Sequence, residues 1–362
     1  MGYPSEGLAM TINRRNPRAL LVTLVCTLAA TASALALAPP ASAHPGSRVV
    51  RIVSLTDPQL PESITLDRHG DIYLSLNPLR EILKIAPDGA QSTFATIPAG
   101  TASLGVRLDA HGNAYLAVVG SGIWRVPADG GAPALFAPLP GVPNGLAFDR
   151  RGNLYVSESL GGVIYRISRN GSVTAWSASP LLKGTTGPGP CGVVHPSGLP
   201  LGANGIAFNA RGTAMFVNNT TLGTVVRIPV KRDGRAGPAG VYAGPACVLW
   251  GADGMALDIR DNVYVAANAE RDIVRVGPGG RLRVLASFAA GDPLFSPSDI
   301  AFGTVRGDRT EIFISDFAKF TGGAGAGVVK MNVCLPGLPP VGRRRHRRGP
   351  PEQRVRGRER RA

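Results

Sequence analysis

Aromatic side chains are scarce in this chain, 6% of 362 residues with three tryptophans, and histidine occurs only five times. No Gly-x-Ser-x-Gly elbow, phosphate-binding loop or dinucleotide fingerprint is present, so α/β-hydrolase, P-loop and Rossmann chemistry lack their key residues. The four cysteines form no Cys-x-x-Cys pair, which removes the usual zinc and dithiol-redox sites. No stretch keeps a sustained helical period, which argues against a helical bundle. A long, uncharged and mostly apolar run extends from Ala19 to Ala38.

That run belongs to an export signal. Arg14, Arg15 and Arg18 precede it, and Ala41-Ser42-Ala43 supplies a small-x-small cleavage site. Residues 1–43 read as a secretory signal peptide, with the mature protein starting near His44, secreted, and not stably inserted in a membrane after cleavage. Arg14-Arg15 suits twin-arginine export and Asn16-Pro17 does not, so the Sec and Tat routes both stay open.

The other end is a charge run. Residues 342–362 hold ten arginines against Glu352 and Glu359, and so carry eight of the formal net charge of +15. Residues 336–362 are expected to form a disordered Arg/Pro-rich tail, for want of apolar residues to bury. No aromatic interleaves the arginines, so an anionic cell-wall polymer is the expected partner of the tail and nucleic acid is not.

Between the ends, six stretches repeat. They begin at Glu62, Leu104, Asn144, Asn204, Asp253 and Ser298, at spacings of 42, 40, 60, 49 and 45 residues. Each continues through short apolar runs separated by turns such as Asp149-Arg150-Arg151-Gly152 and Asn170-Gly171, the pattern of hairpin-linked strands. Four strands repeated six times predict an all-β fold over residues 44–335, a six-bladed β-propeller of four-stranded blades. A linear solenoid is the alternative, but no capping repeats are visible. The sixth repeat stops after three strands, and Arg48–Val53 precedes the first repeat without a partner. That N-terminal strand is expected to close the last blade.

In such a ring the first residue of each repeat stands at one mouth of the central channel. Glu62, Asn144, Asn204 and Asp253 would bring two carboxylates and two amide oxygens together, a donor set for a hard divalent cation, with Ca²⁺ favoured for its tolerance of irregular ligand sets. Asn-Gly and Asp-Gly are also ordinary turn pairs, which is the competing reading of Asn144, Asn204 and Asp253. Glu158, Asn219, Asn268 and Asp316 close the second strands at the same mouth and could orient ligands or bind substrate. His195 lies in the long 177–203 connection, a candidate lid, and Trp250 is expected to pack beneath it. His69 and His111 sit in Asp-x-His-Gly turns and read as solvated. Cys191 and Cys247 occupy connections into neighbouring repeats and are expected to pair, leaving Cys334 free.

Glu62, Pro143-Asn144-Gly145, Ala203-Asn204-Gly205 and Ala252-Asp253-Gly254-Met255 resemble the SMP-30/gluconolactonase/luciferin-regenerating-enzyme family of propellers, over about residues 48–335. The resemblance implies that Glu62, Asn144, Asn204 and Asp253 hold a divalent cation, with no ligand from the second blade, in keeping with Leu104. It also implies a hydrolase of lactones or related esters, with Asp253 as general base. Departures are specific: no Trp follows Ser63-Ile64-Thr65, and Val142 replaces the substrate-binding Arg usual in sugar lactonases. The expectation is therefore a monomeric, secreted, cation-dependent hydrolase of a small lactone or ester other than gluconolactone. Two alternatives stand beside it. One is a non-catalytic propeller that binds a cell-surface glycan, peptide or protein. The other is a streptogramin-lyase or NHL-like propeller using a mouth histidine.

Overall fold

A computed structural model describes residues 49–339. The signal-peptide reading and most of the arginine tail fall outside the described residues. Six four-stranded antiparallel sheets follow one another in sequence. Their innermost strands are Pro61–Leu66, Ser103–Leu108, Pro143–Phe148, Ala203–Phe208, Ala252–Leu257 and Pro297–Phe302. Each packs against the next, and the sixth packs against the first, so the ring is closed.

Closure uses the N-terminal strand, as the sequence predicts. Val50–Ser54 runs antiparallel to Gly327–Asn332 and forms the outer edge of blade six, with Val50 opposite Lys330 and Ser54 opposite Gly327. Arg51 fastens this strand: its Nη2 donates to Asp316 Oδ2 at 2.9 Å and to Pro293 O at 3.0 Å. Joining the first strand to the last sheet removes the edges at which an open array would pair with a second copy.

Three aromatic pairs join neighbouring blades. The second residue of the second strand is Tyr115, Tyr155 or Tyr264 in blades two, three and five, and each meets a phenylalanine ending the next inner strand. Tyr115–Phe148, Tyr155–Phe208 and Tyr264–Phe302 make edge-to-face contacts at 5.2, 4.9 and 5.4 Å. The apolar core is therefore a ring of such interfaces. One of them joins Ile82 and Tyr73 of blade one to Val106 and Leu116 of blade two.

Pro336, Gly337 and Leu338, assigned from sequence to the tail, are pinned across the ends of blades five and six. Ile259 N donates to Pro336 O at 3.0 Å, Gly337 N to Arg309 O at 3.1 Å and Leu338 N to Leu257 O at 3.1 Å. Leu338 also packs against the blade-five core. Backbone hydrogen bonds and one leucine hold this segment, and neither leaves a periodic signal in sequence.

Candidate metal centre at the channel mouth

All six inner strands are irregular at the same point. Their register slips between Pro61 and Ser63, Ser103 and Val106, Pro143 and Leu146, Ala203 and Ile206, Ala252 and Met255, and Pro297 and Asp299. A bulge re-aims side chains and frees backbone groups from the ladder. Each slip contains the first residue of the repeat. Second-strand serines take up the freed groups: Ser157 Oγ accepts Gly145 N at 2.8 Å and donates to Asn204 O of the next blade at 2.6 Å. Ser75 and Ser315 accept Ser63 N and Asp299 N at 3.1 and 3.0 Å.

The glycines after Asn144, Asn204 and Asp253 are not turn residues. They lie inside strands and lack positive φ. A Cβ on Gly145 would stand 2.5 Å from Asn204 O, and one on Gly205 2.4 Å from Asp253 O. Close approach of neighbouring inner strands therefore demands glycine there, which removes the turn reading of these pairs.

Glu62, Asn144, Asn204 and Asp253 are buried and line one cavity on the ring axis, together with Ser63, Arg107, Ser298 and Asp299. Its volume of about 10 Å³ suits a single water-sized occupant. Asn144 Nδ2 donates to Ser159 Oγ at 3.3 Å and Asn204 Nδ2 to Thr220 Oγ1 at 3.0 Å. An amide committed through its nitrogen keeps its oxygen as the group a hard cation takes. Asn268 Nδ2 donates to Asp253 Oδ2 at 2.7 Å.

Electrostatics favour a positive guest. Burial drives the Glu62 pKa well above its ordinary value, and Asp253 and Asp299 add to the rise. Burial pushes Asp253 up to about 8, opposed by Asn268 and reinforced by Asp299. Asp299 is likewise raised by burial, with Arg107 and Ser63 opposing. Carboxylates that desolvate and repel one another this way are the acids a cation would hold ionised. The donors are all oxygen and come from four blades, which fits calcium chemistry.

Glu158, Asn219 and Asp316, which end second strands, play another part. Glu158 accepts the backbone N–H of Val142, Leu160 and Gly161 at 2.9, 3.2 and 2.6 Å. Asn219 donates to Leu181 O and Lys183 O at 3.1 and 2.8 Å. Asp316 holds Arg51 and the Phe295 and Ser296 amides. These side chains satisfy loops rather than a ligand; Asn268, which stands one position beyond its strand end at Ala267, reaches the ring. The residues that brace Asn144 and Asn204 are Ser159 and Thr220, one position further on. Alternation along the strand turns these toward the axis and their neighbours away.

The 177–203 connection crosses the mouth beside blades three and four, with Thr185 N donating to Thr221 Oγ1 at 2.8 Å. His195 is buried, its Nδ1 is 2.8 Å from Ser197 Oγ, and its ring meets Trp250 edge to face. Burial lowers its pKa, and a hydrogen bond with Asn268 acts in the opposite direction. Trp250 packs under this loop as expected. Cys191 and Cys247 form a disulfide that ties the loop to the segment leading into Asp253, and Cys334 is free and exposed. Glu270 brings a carboxylate within 4.8 Å of the two sulfurs. Since the sulfurs are bonded to each other, neither offers a thiolate to a metal. His69 and His111 are exposed turn residues.

Asp299 and Arg107 are the cavity residues that the sequence reading missed. Their signal was present: Asp299 and Ser63 stand where the other four repeats have glycine, and Arg107 stands where the others have Ala or Thr.

A search of curated protein sequences returns no match to this chain. The SMP-30/Gluconolactonase/LRE-like region matches residues 199–314, a stretch that contains Asn204 and Asp253. Among solved structures, a calcium-binding regucalcin from Agrobacterium tumefaciens aligns with a TM-score of 0.59 and 18% identity, over 81% of this chain and 95% of its own. A luciferin-regenerating enzyme aligns at 0.63 and 15% identity, over 82% and 99%. The virginiamycin B lyase of Staphylococcus aureus aligns at 0.55 and 15%, over 81% and 88%. At such identities the alignments speak to fold. The chain is a six-bladed β-propeller related to the SMP-30/gluconolactonase/LRE-like family.

Proposed function

We propose that the protein is a secreted hydrolase that holds one divalent cation, Ca²⁺ in the first instance, and cleaves a small lactone or related ester. The observation that carries this reading is the convergence of Glu62, Asn144, Asn204 and Asp253, from four blades, on one buried single-occupant cavity. The Cys191–Cys247 disulfide supports an oxidising compartment and hence export. The kinship with a family that includes gluconolactonases supports the reaction class.

In this reading Glu62, Asn144, Asn204 and Asp253 are the cation's protein ligands. When bound, the ion supplies Lewis-acid polarisation of the scissile carbonyl and stabilises the developing oxyanion. Asp253 is the general base. Asn268 fixes the carboxylate through Oδ2, which leaves Oδ1 to take the proton of the attacking water. Burial of His195 against Trp250 and Ser197 weighs against histidine chemistry of the lyase kind.

The test is metal analysis of the purified mature protein, followed by a lactone and ester panel with and without chelator. One bound calcium per chain and chelator-sensitive turnover that Asp253→Asn abolishes are expected. Turnover indifferent to chelator would overturn the cation's part. A bound ion with no turnover across the panel would leave a recognition propeller with a structural ion.

A further inference from the structure

Three carboxylates face the cavity region, from Glu62, Asp253 and Asp299, and the single cationic side chain in its lining is Arg107. Three negative charges and one positive leave a net of −2, the complement of a divalent ion. Arg107 comes from blade two, the blade that offers Leu104 in place of a ring ligand. It is held on several sides: Nη1 donates to Ile64 O of blade one at 3.3 Å, Nε to Leu146 O of blade three at 3.1 Å, and Nη2 lies 3.7 Å from Asp299 Oδ2 of blade six. These contacts hold the guanidinium in the channel as a fixed positive charge. Asp299 is equally fixed, accepting from Ser63 Oγ at 2.6 Å, Ile64 N at 3.3 Å and Ile300 N at 2.8 Å.

We propose that Arg107, paired with Asp299, is a built-in counter-charge that sets which ionic charge the cavity accepts, favouring divalent over trivalent cations. The inference rests on the cation site proposed above and adds a residue that determines its specificity. Asp299 acts as fixed charge, its oxygens already committed to protein donors, and Arg107 cancels one unit of the total. A guanidinium lining the cavity repels a guest in proportion to the guest's charge, so the penalty grows from a divalent to a trivalent ion.

The experiment is calorimetric titration with CaCl₂ and luminescence titration with TbCl₃ on the mature protein and on three variants, with thermal melts to confirm folding. Wild type should bind both ions at one site. Arg107→Gln leaves −3 and should raise the Tb³⁺-to-Ca²⁺ affinity ratio by about tenfold or more. Asp299→Asn leaves −1 and should weaken Ca²⁺ by about tenfold. The double variant returns to −2 and should recover the wild-type ratio, which a merely structural role for the pair would not produce. If Arg107→Gln does not fold, Arg107→Lys, which keeps the charge, must keep the ratio, and Asp299→Asn must still weaken Ca²⁺. Calcium binding whose ion preference is the same in every variant would overturn the inference alone. Absence of any cation binding in the wild type would sink the site itself.

Discussion

At the face away from the channel mouth, Asp109, Asp149 and Asp258 each directly follow an inner strand, and the two oxygens of each are taken by its own turn. Asp149 Oδ1 accepts Arg151 N at 2.8 Å and Asn153 N at 2.9 Å, and Oδ2 accepts Asn153 Nδ2 at 2.7 Å. The same bonds recur at Asp109 and Asp258. At the mouth, Glu62 and Asp253 are also repeat-equivalent acids, but they crowd one another and have raised pKa values. Both faces carry acids at fixed repeat positions. What separates them is satisfaction: one set is saturated locally, while the other converges with donors from other blades. Repetition of an acid marks architecture; an acid left needing a counter-charge marks a site.

The largest break in this comparison comes from exchanging one oxygen for nitrogen on each face. Asp253→Asn should lower hydrolysis by about 10²- to 10⁴-fold, the range of a lost general base, and weaken Ca²⁺ in parallel, measured by steady-state kinetics and calorimetry. Asp149→Asn should leave both readouts alone and cost about 1 kcal/mol of stability in a urea melt. Equal effects on activity would erase the distinction between the faces.

The second contrast is in pH. Glu62, Asp253 and Asp299 have folded-state pKa values above their unfolded ones. Without a cation the folded chain therefore binds more protons than the unfolded chain across that window. Their contribution to stability is full below the ordinary carboxylate pKa and drains as pH rises toward about 8, the folded value for Asp253. A divalent ion replaces those protons, so added calcium should raise the Tm more at pH 8 than at pH 5. At 100 times its Kd the ion adds about 2.7 kcal/mol. A calcium effect that is larger at pH 5 would place the ion elsewhere.

The legible parts of this molecule were those that repeat. Six strand groups, the turn acids, the closing strand Val50–Ser54 and the ring positions all follow from a period visible in one chain. What stayed hidden depends on geometry between repeats. Arg107 and Asp299 come from opposite ends of the sequence, and only ring closure makes them a pair. Glu158 and Asn219 were read as mouth residues because they end strands; the pleat turns Ser159 and Thr220 inward instead. The glycines after the ring residues left turn chemistry open as a competing reading, and inter-blade crowding is what requires them. Residues 336–338 are fastened by backbone groups, which carry no side-chain signature.

A third prediction tests the far face on its own terms. Asp258 is buried and accepts Arg260 N, Asn262 N, Asn262 Nδ2 and Tyr264 Oη at 2.8, 3.0, 2.7 and 3.1 Å. Asp258→Ala strands those donors and should cost about 3 kcal/mol in chemical denaturation, with one calcium still bound. Asp109→Ala, whose turn is more exposed, should cost about 1 kcal/mol. Loss of calcium in either variant would show that the two faces are coupled.

The smallest expected effect belongs to His195. It lies at the mouth, yet its contacts run to Ser197, Trp250 and Asn268, and Asn268 alone touches Asp253. The route from His195 to Asp253 through Asn268 passes through an amide that does not change protonation. His195→Ala should lower kcat less than about tenfold, well short of the loss from a deleted acid or base. The pH profile should keep its shape, because the titrating group is Asp253. Asn268→Ala frees Asp253 Oδ2 and should shift the acidic limb of the profile upward, since the Asn268 hydrogen bond holds the Asp253 pKa down. If His195→Ala instead abolished turnover and removed a limb of the profile, the loop histidine would be the acid–base group. The mouth would then work as a lyase-type site with the carboxylate ring as its scaffold.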